Sequence, residues 1–81
     1  MSDKLRAREV FISHEPIELY KVLKFEGLVN SGGEAKVVIS AGSVRVNGTI
    51  ETRKRRKISD GDTIEFAGEA LRIRLQQRKQ E

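Results

Sequence analysis

An alternating segment at residues 43–51, SVRVNGTIE, constrains the fold more than any other part of this sequence. Its central Asn47-Gly48 pair tolerates positive φ angles and therefore favours a two-residue type I′ turn between two strands. Because side chains alternate across a strand, Val44, Val46 and Ile50 are predicted to point toward the core. The segment predicts a β-hairpin, and therefore at least part of an antiparallel sheet.

Three further segments have the composition of short strands: residues 8–13, 63–66 and 70–75. Each is rich in apolar residues, and the turn signals Asp60-Gly61 and Ala67-Gly68 lie on either side of the second one. The residues predicted to point inward from the last two strands are Ile64, Phe66, Leu71, Ile73 and Leu75. In the first strand the pattern leaves two options open, burial of Phe11 or burial of Val10 and Ile12.

The first of two predicted helices spans about residues 16–26. Pro16 suits the first turn of a helix, where its missing N–H is not needed, and Gly27 suits a left-handed cap at the end. Phe25 is predicted to pack beneath the turn that follows the helix. The apolar side of the helix is predicted to consist of Leu19, Tyr20, Val22 and Leu23.

A capping box predicts the start of the second helix. Ser31 is followed three residues later by Glu34. At this spacing each side chain can accept a hydrogen bond from the backbone amide of the other residue. The helix is predicted to begin at Gly32 and to end near Ala41, with Gly42 as its stop. Its inner face is predicted to consist of Val37, Val38 and Ala41.

The order of these elements is one strand, two helices and then several short strands. This order predicts an α+β fold in which two short helices pack on a small, mostly antiparallel sheet. The 81 residues are expected to form one domain with a frayed tail from about residue 76. The chain has no cysteine and no apolar segment of the roughly 18 residues that a membrane helix requires. We therefore expect a soluble, cytoplasmic protein with no metal, cofactor, small-molecule substrate or membrane partner.

The positive charge of the chain is concentrated in one internal segment. The net charge is +4, and residues 41–60 contain six cations and two acids, whereas the rest of the chain contains ten of each sign. Five of the six cations are consecutive, at residues 53–57, and are called the cation run below. Mutual repulsion within the cation run destabilises a folded loop, so a local excess of this kind indicates an anionic partner that offsets it.

Four stretches, GLVNSGGEAK, AGSVRVNG, ETRKRRKI and DGD, together resemble the alpha-L RNA-binding domain named after ribosomal small-subunit protein four. The resemblance extends over about residues 17–66 and is greatest to the small, single-domain bacterial proteins of the YbcJ-like subfamily. It implies a non-catalytic module that binds structured RNA, with a ribosomal RNA as one option, through the two helices and the hairpin. We expect the protein to be a monomer.

The residues predicted to contact RNA are mostly cations. The cation run supplies Arg53, Lys54, Arg55, Arg56 and Lys57, whose side chains can bind phosphate oxygens. The outward lysines of the helices and the solvent-side arginine of the hairpin extend this set: Lys21, Lys24, Lys36 and Arg45. The start of the second helix, Ser31-Gly32-Gly33, has N–H groups that an anion could approach, although plain helix capping explains the same residues.

Other functions are compatible with parts of this pattern. The same cations could bind an acidic or ribosomal protein, so an adaptor is the main alternative to an RNA-binding module. Binding to duplex DNA is disfavoured because the helices have few residues placed to read base edges. Catalysis is disfavoured because His14, the single histidine, has no cysteine and no evident triad partners in the sequence.

Overall fold

The structure, a computed structural model, describes residues 7–76 of the chain. Within this range the chain forms the helices α1 (Leu19–Phe25) and α2 (Gly32–Ser40). The strands are β1 (Arg8–Ile12), β2 (Ile17–Glu18), β3 (Val44–Val46), β4 (Thr49–Ile50), β5 (Lys57–Ile58), β6 (Thr63–Phe66) and β7 (Glu69–Leu75). Apart from Gln76, the predicted tail lies outside the described residues.

Five of the strands form one sheet in the order β1-β7-β6-β3-β4. Strand β1 runs parallel to β7, whereas the other neighbouring pairs in this sheet are antiparallel. A separate two-stranded ribbon pairs β2 with β5. The arrangement confirms the predicted α+β fold, with two helices packed on a mostly antiparallel sheet.

One apolar core lies between the helices and one face of the five-stranded sheet. Its least exposed members come from both helices and four strands: Leu19, Val22, Leu23, Ala35, Ile39, Val44, Val46, Ile58, Ile64, Leu71 and Ile73. In β1 the side chains of Val10 and Ile12 are buried and that of Phe11 is 59% exposed, which decides between the two options left by the sequence. Residues that alternate with the buried ones point to the open face of the sheet.

The hairpin has the predicted turn, but Ile50 lies on the other face. Asn47 and Gly48 have φ angles of 54° and 85°, as a type I′ turn requires. The strand register places Ile50 directly opposite Arg45, and directly paired residues share a face of the sheet. Ile50 is therefore on the open face and is 50% exposed. The prediction was wrong because it continued the alternation across the turn without counting the register.

Helix α1 begins three residues later than predicted. Ile17 and Glu18 are extended and pair with Ile58 and Lys57, so they form strand β2 instead of a first helical turn. This pairing joins segments that are about 40 residues apart in the chain, which local patterns cannot reveal. The apolar side of α1 otherwise agrees with the prediction, with Tyr20 half-buried at its margin.

Helix α2 has the predicted start but a different inner face. Ala35 and Ile39 are completely buried, and Val38 is half-buried. Val37 is 67% exposed and Ala41 is exposed. Ala35 and Ile39 are four residues apart and share a face, whereas a residue two positions away points to the opposite side. The prediction for Val37 and Ala41 was therefore wrong.

Candidate nucleic-acid interface

The backbone of the cation run is bound to the start of α1. The amide of Leu19 donates to the carbonyl of Arg56 at 2.9 Å, and the amide of Tyr20 donates to the carbonyl of Lys54 at 3.2 Å. The first amides of a helix have no partner within the helix, and Glu18 gives no side-chain cap here. The carbonyl groups of the run therefore cap α1 and hold the run against it.

Glu51 offsets part of the repulsion within the cation run. Its carboxylate accepts two hydrogen bonds from the guanidinium of Arg53, at 2.9 and 3.0 Å, and one from Arg56 at 3.0 Å. The backbone amide of Arg53 donates a further bond at 2.9 Å. Although the residue is only 7% exposed, these bonds, those from Arg53 first, lower the pKa of Glu51 from 4.5 to about 2. The carboxylate thus remains charged and binds two of the five cations.

Three other cations converge on the ring of Tyr20. The distance to the ring centroid is 4.7 Å for Nζ of Lys36, 5.9 Å for Nζ of Lys21 and 5.9 Å for Cζ of Arg55. A cation within about 6 Å of an aromatic face is attracted by the ring quadrupole. We call these four residues the Tyr20 cluster. It joins α1, α2 and the cation run, which are separate in the sequence.

Among residues 7–76, one carboxylate, that of Glu18, lies within 4.0 Å of a cation of the Tyr20 cluster. A carboxylate oxygen of Glu18 lies 3.8 Å from Nζ of Lys21, and the other lies 3.7 Å from Nη1 of Arg55. These distances are long for ion pairs, and the side chains of Lys21 and Arg55 are 46% and 67% exposed. Exposed pairs of this kind contribute about 0–1 kcal/mol. The cations are therefore held near one another but can exchange this partner for another anion.

The start of α2 lies beside the same ring. A side-chain carbon added to Gly32 would lie 3.7 Å from two ring carbons of Tyr20. Ser31 caps the helix by accepting a hydrogen bond from the amide of Glu34 at 3.1 Å, as predicted. The carboxylate of Glu34, however, accepts from the amide of Asn30 at 2.9 Å, one residue before the predicted donor. The capping residues, with Gly33 next to them, therefore adjoin the cation cluster.

Of the other residues predicted to contact RNA, some lie near the Tyr20 cluster and some do not. Lys54 lines a shallow depression with Lys36, and Lys57 lines another with Lys21. Arg45 is on the open face of the sheet, away from the helices, and donates to the carbonyl of Gly48 at 3.3 Å. Lys24 is exposed on α1, outside the set of cations around Tyr20. The structure thus brings Lys21, Lys36 and most of the cation run together, but not Arg45.

Sequence reasoning left two aromatic residues, Tyr20 and Phe25, out of the predicted contact set. Tyr20 was assigned to the apolar side of α1, and only its position beside the outward Lys21 signalled a boundary role. For Phe25 the sequence allowed stacking on a base or packing beneath the next turn, and packing was predicted, but its side chain is 63% exposed. That prediction was wrong, since Phe25 stays exposed while Val29 in the following turn is buried.

No helix within residues 7–76 is long and apolar enough to cross a membrane. The same residues contain no group of three or more side chains placed to hold a metal ion.

Comparison with known proteins identifies the family. Residues 10–74 match the family model described as the S4 domain. This chain belongs to the S4 domain family. Among S4-domain relatives, YbcJ of Escherichia coli strain K12, a candidate RNA-binding protein, is 47% identical over 60 residues, which make up 74% of this chain and 86% of YbcJ. RlbA of Bacillus subtilis strain 168, named as a probable ribosome maturation protein, is 37% identical over 62 residues, or 76% of this chain and 87% of RlbA.

A solved structure agrees with this S4-domain assignment. The solution structure of Escherichia coli YbcJ superposes with a TM-score of 0.65 at 37% identity, covering 91% of this chain and 95% of that one. It was described as revealing an alpha-L motif involved in RNA binding. The resemblance inferred from the sequence motifs is therefore confirmed.

Proposed function

We propose that this S4-domain protein is a non-catalytic module that binds structured RNA through the Tyr20 cluster, the start of α2 and the cation run. The observation that carries the proposal is the convergence of Lys21, Lys36 and Arg55 on one ring. These cations come from three segments, and a shared partner such as a phosphate group gives a reason for bringing them together. The names of YbcJ and its alpha-L motif support RNA as that partner.

The cations of the run have different roles in this proposal. Arg55, Lys54 and Lys57 face solvent, and Lys54 and Lys57 form no ion pair with another described residue. They are the groups available for phosphate oxygens. Arg53 and Arg56 are bound to Glu51 and mainly hold the loop in place, although the side chain of Arg53 remains 72% exposed. Arg45, although the sequence predicted that it contacts RNA, lies on the open face of the sheet and outside the interface proposed here.

A ribosomal RNA is the partner that we propose within this class. The support is the name of RlbA, a probable ribosome maturation protein that is 37% identical to this chain. The protein would then act in the cytoplasm as a monomer. In this proposal a tagged copy sediments with ribosomal particles or their precursors, and nuclease treatment releases it.

The test compares two charge-matched double variants in RNA binding. Lys36→Gln with Arg55→Gln removes two cations of the proposed interface. Arg45→Gln with Arg72→Gln removes two cations from the open face of the sheet, where both are exposed. Affinity for a ribosomal RNA fragment and for duplex DNA of equal length is measured over a salt series.

We expect the interface variant to lose about 10-fold or more in RNA affinity and to reduce the salt slope by about 1 to 2. The open-face variant should bind as the unmodified protein does. Equal losses in both variants would contradict the site, and equal affinity for RNA and DNA would contradict the partner class. Retention of a protein partner after nuclease treatment would favour an adaptor that uses the same surface.

A further inference from the structure

A small apolar groove opens beside the proposed interface, between β1 and α1. Its volume is about 220 Å³, and its apolar lining includes Val10, Ile12, Ile17, Val22 and Phe25. Pockets for drug-sized ligands measure about 300–1,000 Å³, so this groove fits a group the size of one planar ring system. Phe25 is 63% exposed at the end of α1 and offers its ring to an incoming group.

Two lysines line the same depression as Phe25. A neighbouring depression is lined by Phe25 together with Lys21 and Lys57, and it shares His14 and Ile17 with the groove. Lys21 and Phe25 are four residues apart on α1, so they lie on one side of the helix within about 6 Å along its axis. Lys21 also belongs to the Tyr20 cluster. The groove is therefore continuous with the proposed phosphate-binding surface.

The acidic groups at this site are already paired. Glu26 lines the groove and accepts from Nη1 of Arg8 at 3.3 Å. Glu18 lines the depression and lies within 3.8 Å of Lys21 and 3.7 Å of Arg55. Lys57 has no ion pair within 4.0 Å among the described residues and leaves the depression positive. An aromatic ring bordered by cations suits a ligand with a flat π-face attached to an anion.

We propose that an unpaired nucleotide of the bound RNA docks here, with its base stacked on Phe25 and its phosphate near Lys21 and Lys57. The inference rests on the proposed RNA binding and adds a requirement to it. The RNA must offer an unstacked base next to its structured part, because a base within a helix has no free face. Stacking of a base on an aromatic side chain tolerates any sequence, so this site recognises an unpaired nucleotide and not a particular base.

The test uses an RNA hairpin with a short unpaired 3′ extension and the same hairpin without it. Phe25→Leu removes the ring and keeps apolar volume, and Phe25→Trp keeps an aromatic face. We expect Phe25→Leu to weaken binding of the extended hairpin by about 5- to 20-fold, with no change for the blunt hairpin. Phe25→Trp should bind both RNAs as the unmodified protein does. Thermal unfolding of each variant checks that the fold is intact.

Aromatic proton NMR of the unmodified protein supplies an independent measurement. The chain has one tyrosine, three phenylalanines and one histidine, so their signals can be followed separately. The extended hairpin should shift both the Tyr20 and the Phe25 ring protons, whereas the blunt hairpin should shift those of Tyr20 only.

The outcomes separate this inference from the proposed function. Unchanged binding of Phe25→Leu to both hairpins, or Phe25 signals that respond equally to both, would overturn the stacking site and leave RNA binding intact. Equal weakening of both hairpins would also overturn it, because the ring would then act without an unpaired base. Failure of the unmodified protein to bind either hairpin would overturn the proposed function and the inference together.

Discussion

Replacement of Glu51 by glutamine tests whether an internal carboxylate holds the cation run in place. The pKa of Glu51 falls from 4.5 to about 2 in the folded protein, chiefly through its hydrogen bonds to Arg53. A shift of this size corresponds to at most about 3–4 kcal/mol of stability at neutral pH. Because the side chain of Arg53 is 72% exposed, solvent screening reduces this figure, and we expect about 1–2 kcal/mol.

The contribution of Glu51 to the free energy of unfolding should depend on pH. A carboxyl whose pKa is lowered by folding stabilises the folded state fully above its unfolded pKa, here 4.5, and loses this contribution as the pH falls toward about 2. Glutamine carries no charge at any of these pH values. The difference in free energy of unfolding between the unmodified protein and Glu51→Gln should therefore be largest near pH 7 and small near pH 2.

Urea unfolding of both proteins at pH 7, 5, 4, 3 and 2 measures this difference. The other carboxyl groups titrate in both proteins, so their contribution cancels when the two curves are subtracted. A difference that stays constant from pH 7 to pH 2 would refute the reasoning, because the carboxylate charge would then have no role. A matched variant, Glu65→Gln on β6, removes a carboxylate that forms no ion pair with another described residue, and it controls for the loss of one negative charge.

Three further predictions concern the helices and the cluster. Tyr20→Leu should weaken RNA binding about 3- to 10-fold while Tyr20→Phe retains it, as measured by fluorescence anisotropy, because phenylalanine keeps the ring face that attracts the cations; equal losses in both variants would point to the hydroxyl group instead. Ser31→Ala should lower the free energy of unfolding by about 1 kcal/mol in urea titration, because it removes the N-cap acceptor of α2, and a change near zero would contradict that role. Ile39→Ala should cost about 2–5 kcal/mol, whereas Val37→Ala should stay within about 0.5 kcal/mol, and similar values for both would mean that the inner face of α2 is assigned incorrectly.

Local sequence signals predicted the elements that depend on neighbouring residues. The Asn47-Gly48 turn and the Ser31 cap are set by the conformational preferences of a few adjacent residues, and both are present in the structure. The alternation around the turn predicted burial of Val44 and Val46. Ile50 was placed on the wrong face, although its position follows from the length of the turn.

Features that depend on distant segments could not be read from the sequence. Pairing of Ile17 and Glu18 with the end of the cation run replaces the first predicted turn of α1. The same contact brings Arg55 to Tyr20, and α2 brings Lys36 there. The sequence therefore indicated which cations are candidates for RNA binding, whereas their grouping around one aromatic ring depends on the tertiary fold.

The caps of α1 come from carbonyl groups of the cation run and not from its side chains. Every residue type has this carbonyl group, so the bond from Tyr20 to the loop does not depend on the side chain of Lys54. The main chain and the carboxylate of Glu51 together set where the loop lies, whereas an exposed side chain such as that of Lys54 sets the charge that the loop presents. A substitution at Lys54 can therefore change the charge pattern of this surface while the start of α1 stays unaltered.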